Sequence, residues 1–382
     1  MKVLHFGRYY TEHFGGTESH ARVLLDCLQH HVQVANVVAN ETCHNTLVRR
    51  GGYDIHKVAS IGDVAATTLC PGMAAYVRRL HEKEQYDIFH LHFPDPMSHL
   101  AHAFLPRHVK LVITWHSDIV RQRRLLMFYQ PFVNRIVARA DAIIAATPAH
   151  FSSSTQLYAC QDRQRQHVVP YGIDFSRFAK SSQTMSDARQ LREKFPGKKL
   201  LFALGRHVYY KGYEYLIQAM QKIADDAVLL LGGNGPKTAE LKQLVRQLGL
   251  ADKVIFLGRI PDGELPYHYH GCDLFCLPSV EPSEAFGLVQ LEAMACGKPV
   301  VCCELNNGVT YVNRSGETGL VVPPRDPAAL AAAINDLLAD DQKRIAYGNA
   351  AFDRVSREFT LQRMTEGTLA VYRSVLGKNR QF

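Results

Sequence analysis

The stretch Ser283-Glu284-Ala285-Phe286-Gly287-Leu288-Val289-Gln290-Leu291-Glu292-Ala293-Met294-Ala295-Cys296-Gly297-Lys298-Pro299-Val300 decides how the rest of the chain is read. It follows a short apolar run, Asp273–Leu277, that reads as a strand, and it turns into a helix near Gly287. The first amides of a helix lack partners and lie at the positive end of its dipole, so such a turn favours a bound phosphate. Glu284 stands at the mouth of the turn, and Glu292 lies roughly two turns further in. A carboxylate accepts hydrogen bonds from two neighbouring hydroxyls, as a ribose or a hexose presents them. Glutamates on a helix are ordinarily solvated. Here Leu291, Ala293 and Met294 flank Glu292, and Gly287 and Gly297 bracket a mostly apolar helix, which points to a partly buried, functional carboxylate.

A second segment has the same form. Leu204-Gly205-Arg206-His207-Val208-Tyr209-Tyr210-Lys211-Gly212 runs from a strand into a helix and sets Arg206 and Lys211 at a sheet's carboxyl edge. A reaction that expels a nucleoside diphosphate builds negative charge on the phosphates, and preorganised cations must hold it. Arg and Lys do so with charge-assisted bonds of roughly 1.5–3 kcal/mol each. The alternative is a surface pair near a turn, which the flanking glycines disfavour because they suit close backbone approach.

Working outward, strands and helices alternate twice. Lys2–Phe6, Gln33–Ala39, Asp87–Phe93, Lys110–Trp115 and Asp141–Ala146 read as strands, with helices at Thr17–His30, Gly72–Glu84 and Leu125–Arg139. Val168–Asp174 closes this half, and the polar segment Lys180–Gly197 reads as a link. Alternation restarts with strands at Lys199–Leu204, Val228–Leu231, Val254–Leu257, Leu274–Leu277 and Pro299–Cys303. The pattern predicts an α/β protein of two Rossmann-like, doubly wound parallel-sheet domains, residues 1–178 and 179–360, with ligands in the crevice between them. An amphipathic helix over Leu361–Leu376, within the terminal segment 361–382, is expected to pack back on the first domain.

The 382 residues, 47% hydrophobic and 21% charged, fit two folded domains and exclude a disordered chain. The N-terminus shows a short strand rather than a signal peptide, and no apolar run nears the ~18 residues of a membrane span. Nine scattered cysteines fit reduced thiols, and Cys272 and Cys276 lack the second pair of a zinc site. A cytoplasmic protein is therefore expected. The net charge of +8 is too modest to signal nucleic-acid binding. Arg121-Gln122-Arg123-Arg124 precedes Leu125-Leu126-Met127-Phe128-Tyr129, and two readings stay open: a peripheral contact with the inner face of an anionic membrane, or a solvated helix start whose apolar residues face the core. His90 and His92 alternate on one strand and point to one face, where they read as cleft lining because no third metal ligand is evident.

The motifs together resemble the retaining, GT-B-fold glycosyltransferases of family 4. The resemblance rests on Glu-x-Phe-Gly-x-x-x-x-Glu at 284–292 and Gly-Arg…Lys-Gly at 205–212. Phe14–Glu18, Val169–Asp174 and Gly319–Pro324 support it over nearly the whole length. Trp115–Val120 and Tyr209–Gly212 are similar to bacterial O-antigen and lipopolysaccharide mannosyltransferases that use GDP-mannose. The resemblance implies a nucleotide-sugar donor and a carbohydrate or lipid-linked glycan acceptor. Residues 1–178 would take the acceptor side and 179–360 the donor side. It implies that Arg206 and Lys211 grip the diphosphate, Glu284 binds hydroxyls of the transferred sugar and Glu292 those of the ribose. Backbone amides of Phe286, Gly287 and Leu288 would complete the phosphate cradle. Gly16 would allow close approach of donor or acceptor, and His116 would line the donor sugar, making Glu284, His116, Lys211 and Arg206 the catalytic group. Asp118 and His92 are expected on the acceptor side. No Asp-x-Asp is present, so no metal or other cofactor is expected.

Three rival readings are a UDP-N-acetylhexosamine or other nucleotide-sugar donor, a nucleotide-sugar epimerase of the same fold, and a non-catalytic sugar-nucleotide-binding protein. A dinucleotide-dependent oxidoreductase is disfavoured, because neither Gly7…Gly15-Gly16 nor Gly232-Gly233-Asn234-Gly235 matches the Gly-x-Gly-x-x-Gly fingerprint.

Overall fold

A computed structural model describes residues 1–7, 16–64, 67–119, 123–158, 160 and 162–377. Side chains of residues 123–125 also fall outside the description. The chain forms two compact units, Met1–Gly172 with Leu361–Phe382, and Ile173–Thr360.

In the first unit, eight strands form one sheet. Their spatial order is Gln166–Val168, Ala142–Ala145, Lys110–Trp115, Ile88–Phe93, Lys2–Gly7, Gln33–Ala39, Tyr53–Val58, Thr46–Arg50. All pairs are parallel except the last, where Thr46–Arg50 runs antiparallel along the edge. Chain order reverses between Lys2–Gly7 and Ile88–Phe93, which is the switch point where doubly wound sheets take ligands beyond their carboxyl ends. Side-chain alternation sorts these strands between two cores. Leu4, Phe6, Phe89, Leu91, Leu111 and Ile113 face one way. Val3, Ile88 and Val112 face the other, under the helices Gly16–Leu28 and Leu361–Gly377. On that second face the residues nearer the carboxyl ends turn polar: His5, His90, His92 and Thr114, all buried. The C-terminal helix contributes Met364, Leu369, Val371, Tyr372 and Val375 to this core, so the end of the chain is structurally part of the unit that holds its beginning.

In the second unit, six parallel strands run in the order Val254–Gly258, Ala227–Gly232, Lys199–Leu204, Leu274–Leu277, Val300–Cys303, Gly319–Val322. Its switch point lies between Lys199–Leu204 and Leu274–Leu277, so the segments that leave these two strands, 205–212 and 278–287, are neighbours by topology.

The segment Lys180–Gly197 is a correction. Its serines do not make a link but cap a helix, Ser182–Glu193: the Ser181 hydroxyl accepts from the Thr184 amide at 3.0 Å, and Ala188 and Leu191 are buried. The passage between units falls instead at Gly172–Ile173.

Candidate active site

The two segments that carried the sequence reading meet at the switch point of the second unit. Gly212 has φ +65, and a Cβ there would lie 2.1 Å from the Pro278 carbonyl oxygen. The amide of Val280 donates to the Tyr210 carbonyl at 2.8 Å, which ties the two loops together. Gly287 has φ +73, and a Cβ there would lie 2.6 Å from Leu277, so an L side chain is excluded sterically as well as conformationally. It caps the helix Leu288–Ala295, whose start receives no side-chain cap.

Lys211 and Glu284 come together inside this arrangement. Their side chains are only 10% and 11% exposed, and Lys211 Nζ lies 2.5 Å from Glu284 Oε2. The Ser279 hydroxyl donates to the same carboxylate oxygen at 2.9 Å, and Asn307 Nδ2 donates to the Glu284 carbonyl at 2.8 Å. Burial by itself would lower the Lys211 ammonium, but Glu284, with Tyr213 and Tyr210, raises it well above the ordinary lysine range. Lys211 is therefore charged at any physiological pH. Desolvating two charges stabilises a fold little, because the attraction barely offsets the loss of hydration. A buried pair held at a switch point therefore points to function. An ammonium has three donors, so Lys211 can hold Glu284 and a phosphate oxygen together.

Glu292 is half-buried and accepts from the Tyr269 hydroxyl at 2.7 Å. Burial raises its carboxyl, partly offset by that hydrogen bond and by Arg177. Its second oxygen has no partner among the described residues. Arg206 is exposed beside these groups in sequence and pairs with none of them. Phe286 is buried with its ring against Phe359, so only its backbone can serve a ligand, and Leu288 begins the helix.

The residues expected on the N-terminal unit are placed differently. Gly16 is exposed at the start of its helix, whereas Phe14 and Gly15 lie outside the described residues. His116 follows Lys110–Trp115 and is buried; its Nε2 lies 3.0 Å from His92 Nδ1 and its Nδ1 2.5 Å from the Tyr171 hydroxyl. Asp118 accepts from Trp115 Nε1 at 3.0 Å, the Ser154 hydroxyl at 2.6 Å and the Thr155 amide at 3.0 Å. His92 has both ring nitrogens engaged, by His116 and by His5 at 3.2 Å. Asp118 and His92 are thus engaged by partners within their own unit. His90 and His92 do share a face, their rings stacked 4.8 Å apart, but they are buried in the core rather than lining an open cleft.

Sequence reasoning missed His5, the third member of this group. His5, His90 and His92 bring one nitrogen each within 4.8 Å of the others, and His5 sits directly opposite His90 in the sheet register. A histidine inside an otherwise apolar strand was the available signal, because a buried polar side chain demands a partner. All six nitrogens of these rings are already in hydrogen bonds, to one another, to Tyr372, to Thr114 and to His116.

Arg121 and Gln122 of the basic run lie outside the described residues, as do the side chains of Arg123, Arg124 and Leu125. Along the helix Arg123–Arg139, Met127 and Phe128 are 68% and 74% exposed, while Val133, Ile136 and Val137 face the core. Among the described residues no helix is long and apolar enough to cross a membrane.

Residues 14–177 match the model described as Glycosyltransferase Family 4, and residues 185–354 match Glycosyl transferases group 1. The chain is 30% identical to O-antigen chain mannosyltransferase C of Escherichia coli, over 98% of this chain and 99% of that one. It is 34% identical to D-rhamnosyltransferase WbpZ of Pseudomonas aeruginosa, over 94% and 92%. Among solved structures, sucrose-phosphate synthase of Thermosynechococcus elongatus superimposes with a TM-score of 0.84 at 23% identity, covering 99% of each chain. An Anabaena protein, HepE, solved with UDP and glucose, gives 0.78 at 22%, covering 98% of this chain and 100% of that one. The chain belongs to the GT-B-fold glycosyltransferases of family 4 and is a hexosyltransferase.

Proposed function

We propose that the protein transfers mannose from GDP-mannose, with retention, to a carbohydrate or lipid-linked glycan in the synthesis of an O-antigen-like cell-surface polysaccharide. The observation that carries the catalytic part is the buried Lys211–Glu284 pair at the switch point. Lys211 holds the diphosphate as its charge grows, Arg206 adds a second cation from the exposed side, and the uncapped helix start with the amides of Phe286, Gly287 and Leu288 supplies fixed dipoles. Glu284 orients hydroxyls of the sugar, and Glu292, with its remaining oxygen, takes the ribose hydroxyls. Gly16 leaves room for the donor phosphates or the acceptor at the start of its helix. The leaving phosphate accepts the acceptor's proton on the face it departs from, so no protein nucleophile and no metal is needed. His116 meets the donor sugar by exchanging Tyr171 for a sugar hydroxyl.

The names of the E. coli relative and of a phosphatidyl-myo-inositol mannosyltransferase from Mycobacterium leprae, 29% identical over 90% of this chain and 89% of that one, support mannose as the sugar. Exposed Met127 and Phe128 support a peripheral stand on the cytoplasmic membrane, which flotation with anionic vesicles tests: Phe128→Ser must reduce binding. The donor is tested by thermal stabilisation with GDP, UDP, ADP and dTDP in EDTA, because a ligand that binds only the native state raises its melting temperature. GDP should give the largest shift without metal. A larger shift with UDP, or one that needs a divalent ion, would refute the assignment.

A further inference from the structure

Seven buried side chains of the N-terminal unit form one continuous hydrogen-bonded file. The Thr114 hydroxyl meets His90 Nε2 at 2.7 Å, and His90 Nδ1 meets the Tyr372 hydroxyl at 2.5 Å. The same hydroxyl meets His5 Nε2 at 3.1 Å. From there the contacts are ring to ring: His5 Nδ1 to His92 Nε2 at 3.2 Å, then His92 Nδ1 to His116 Nε2 at 3.0 Å. His116 Nδ1 ends the file on the Tyr171 hydroxyl at 2.5 Å. The members come from the strands Lys2–Gly7, Ile88–Phe93 and Lys110–Trp115 with the residue after it, from the C-terminal helix Leu361–Gly377, and from the segment that leaves the last strand.

The chemistry of imidazole makes the file collective. Burial holds these rings neutral: it lowers His5, His90 and His116 well below the ordinary histidine range, neighbouring histidines adding to the effect, and brings His92 to about 4. Other ionisable groups around the file are His20, whose ring lies 4.0 Å from that of Tyr171, His150 near His116, and Asp118 near His150. A neutral imidazole has one N–H and one bare nitrogen, and a nitrogen-to-nitrogen hydrogen bond needs one of each. The tautomer of one ring therefore dictates the next. Three arrangements satisfy every link: Nδ1–H on His90, His5, His92 and His116, with Tyr171 accepting; Nε2–H on all four, with Tyr171 donating; or Nε2–H on His5, His92 and His116 with Nδ1–H on His90, where the Tyr372 oxygen accepts from both His5 and His90. In all three, His5, His92 and His116 share one tautomer.

We infer that Tyr372, His5 and His92 are positioning residues for His116, and that the file they form ties the tautomer of His116 to those of His92 and His5. The inference rests on the reading that His116 meets the donor sugar. It gives the C-terminal helix a task beyond packing, because Tyr372 is the link through which His90 and Thr114 reach the other rings. A metal held by His5, His90 and His92 would have to break the same bonds.

The test is the 15N spectrum of the histidine rings in the full chain, with kinetics of a Tyr372→Phe variant that keeps the buried ring. In the wild type, His5, His92 and His116 must show the same tautomer; opposite tautomers overturn the file. In Tyr372→Phe the His116 tautomer must shift or become mixed. Turnover must fall about tenfold, the scale on which partners of functional histidines act, while KM for the nucleotide sugar stays within about twofold. An unchanged His116 spectrum with unchanged turnover overturns the positioning role, and so does a zinc titration that converts the three rings into metal ligands. His116→Ala separates this from the underlying reading. Wild-type turnover there removes His116 from the active site. Loss there, with Tyr372→Phe unchanged, leaves the reading standing and removes the file alone.

Discussion

In the C-terminal unit a lysine and a glutamate are buried as a charged pair; in the N-terminal unit histidines and tyrosines are buried as neutral partners. Both solutions sit at the switch point of a doubly wound sheet, at the carboxyl ends of the central strands. The difference follows from what each group can do when desolvated. A lysine–glutamate pair retains its charge because each ion compensates the other, and a fixed charge suits a diphosphate that gains negative charge. Clustered imidazoles repel one another when charged and so remain neutral, where one nitrogen gives and the other receives. One unit buries a charged pair and the other a set of neutral hydrogen-bonding rings.

The contrast breaks most visibly at Lys211 and Glu284. Lys211→Ala or Glu284→Ala should cut turnover by about 1000-fold, the scale of one transition-state electrostatic contact. Each should also lower the melting temperature, since the ion left behind is buried without its partner, at a cost of roughly 3–5 kcal/mol. The double variant Lys211→Met/Glu284→Gln should regain much of the melting temperature and none of the turnover. If it regains turnover, the pair is structural.

Acid should separate the two units next. His92, held at about 4, resists a proton that the unfolded chain takes up near 6.5. The unfolded state therefore gains protons first. The stability this histidine confers is complete above pH 6.5 and declines as pH falls, by roughly 3 kcal/mol at pH 4. His5, His90 and His116 act in the same direction. The contribution of Lys211, whose value is raised, is lost only in strong base. Hydrogen exchange between pH 7 and 4.5 should show the first unit opening before the second; the opposite order would contradict the neutral-histidine account.

The smallest effects are expected at the donor's periphery. Arg206→Ala should raise donor KM about tenfold or more, in a salt-dependent manner, because Arg206 is exposed. Glu292→Ala should weaken donor binding by about tenfold with little change in turnover, as expected for one bidentate hydroxyl contact that is equal in ground and transition states. A larger fall in turnover than in affinity at Glu292 would move it into the catalytic group.

The two units also differ in how much of them could be read from sequence. The loops 205–212 and 278–287 are local: a strand, a glycine turn and a helix start lie within a few residues, so the setting of Lys211, Glu284 and Gly287 is legible in the sequence. Most strands were legible for the same reason, with errors of a residue at their ends, but Val168–Asp174, read as the last strand of the first half, lies mostly beyond the strand Gln166–Val168, and Thr46–Arg50, Tyr53–Val58 and Gly319–Val322 were not read as strands. The segment Lys180–Gly197 misled because a serine cluster marks a helix cap as readily as a link. The histidine file could not be assembled at all. Its partners run from His5 to Tyr372, each looks like an isolated residue in an apolar segment, and only the sheet register and the returning helix bring them together. The partners of Asp118 were not legible either, because nothing near it in sequence announces Ser154 and Thr155.

The most direct test of the account is calorimetric titration of GDP into the wild type and into the refolded double variant Lys211→Met/Glu284→Gln, both in EDTA. The wild type should bind, and the variant, with its fold verified by its melting temperature, should bind at least a hundredfold more weakly. Equal affinity in the two proteins would show that the buried pair does not hold the diphosphate.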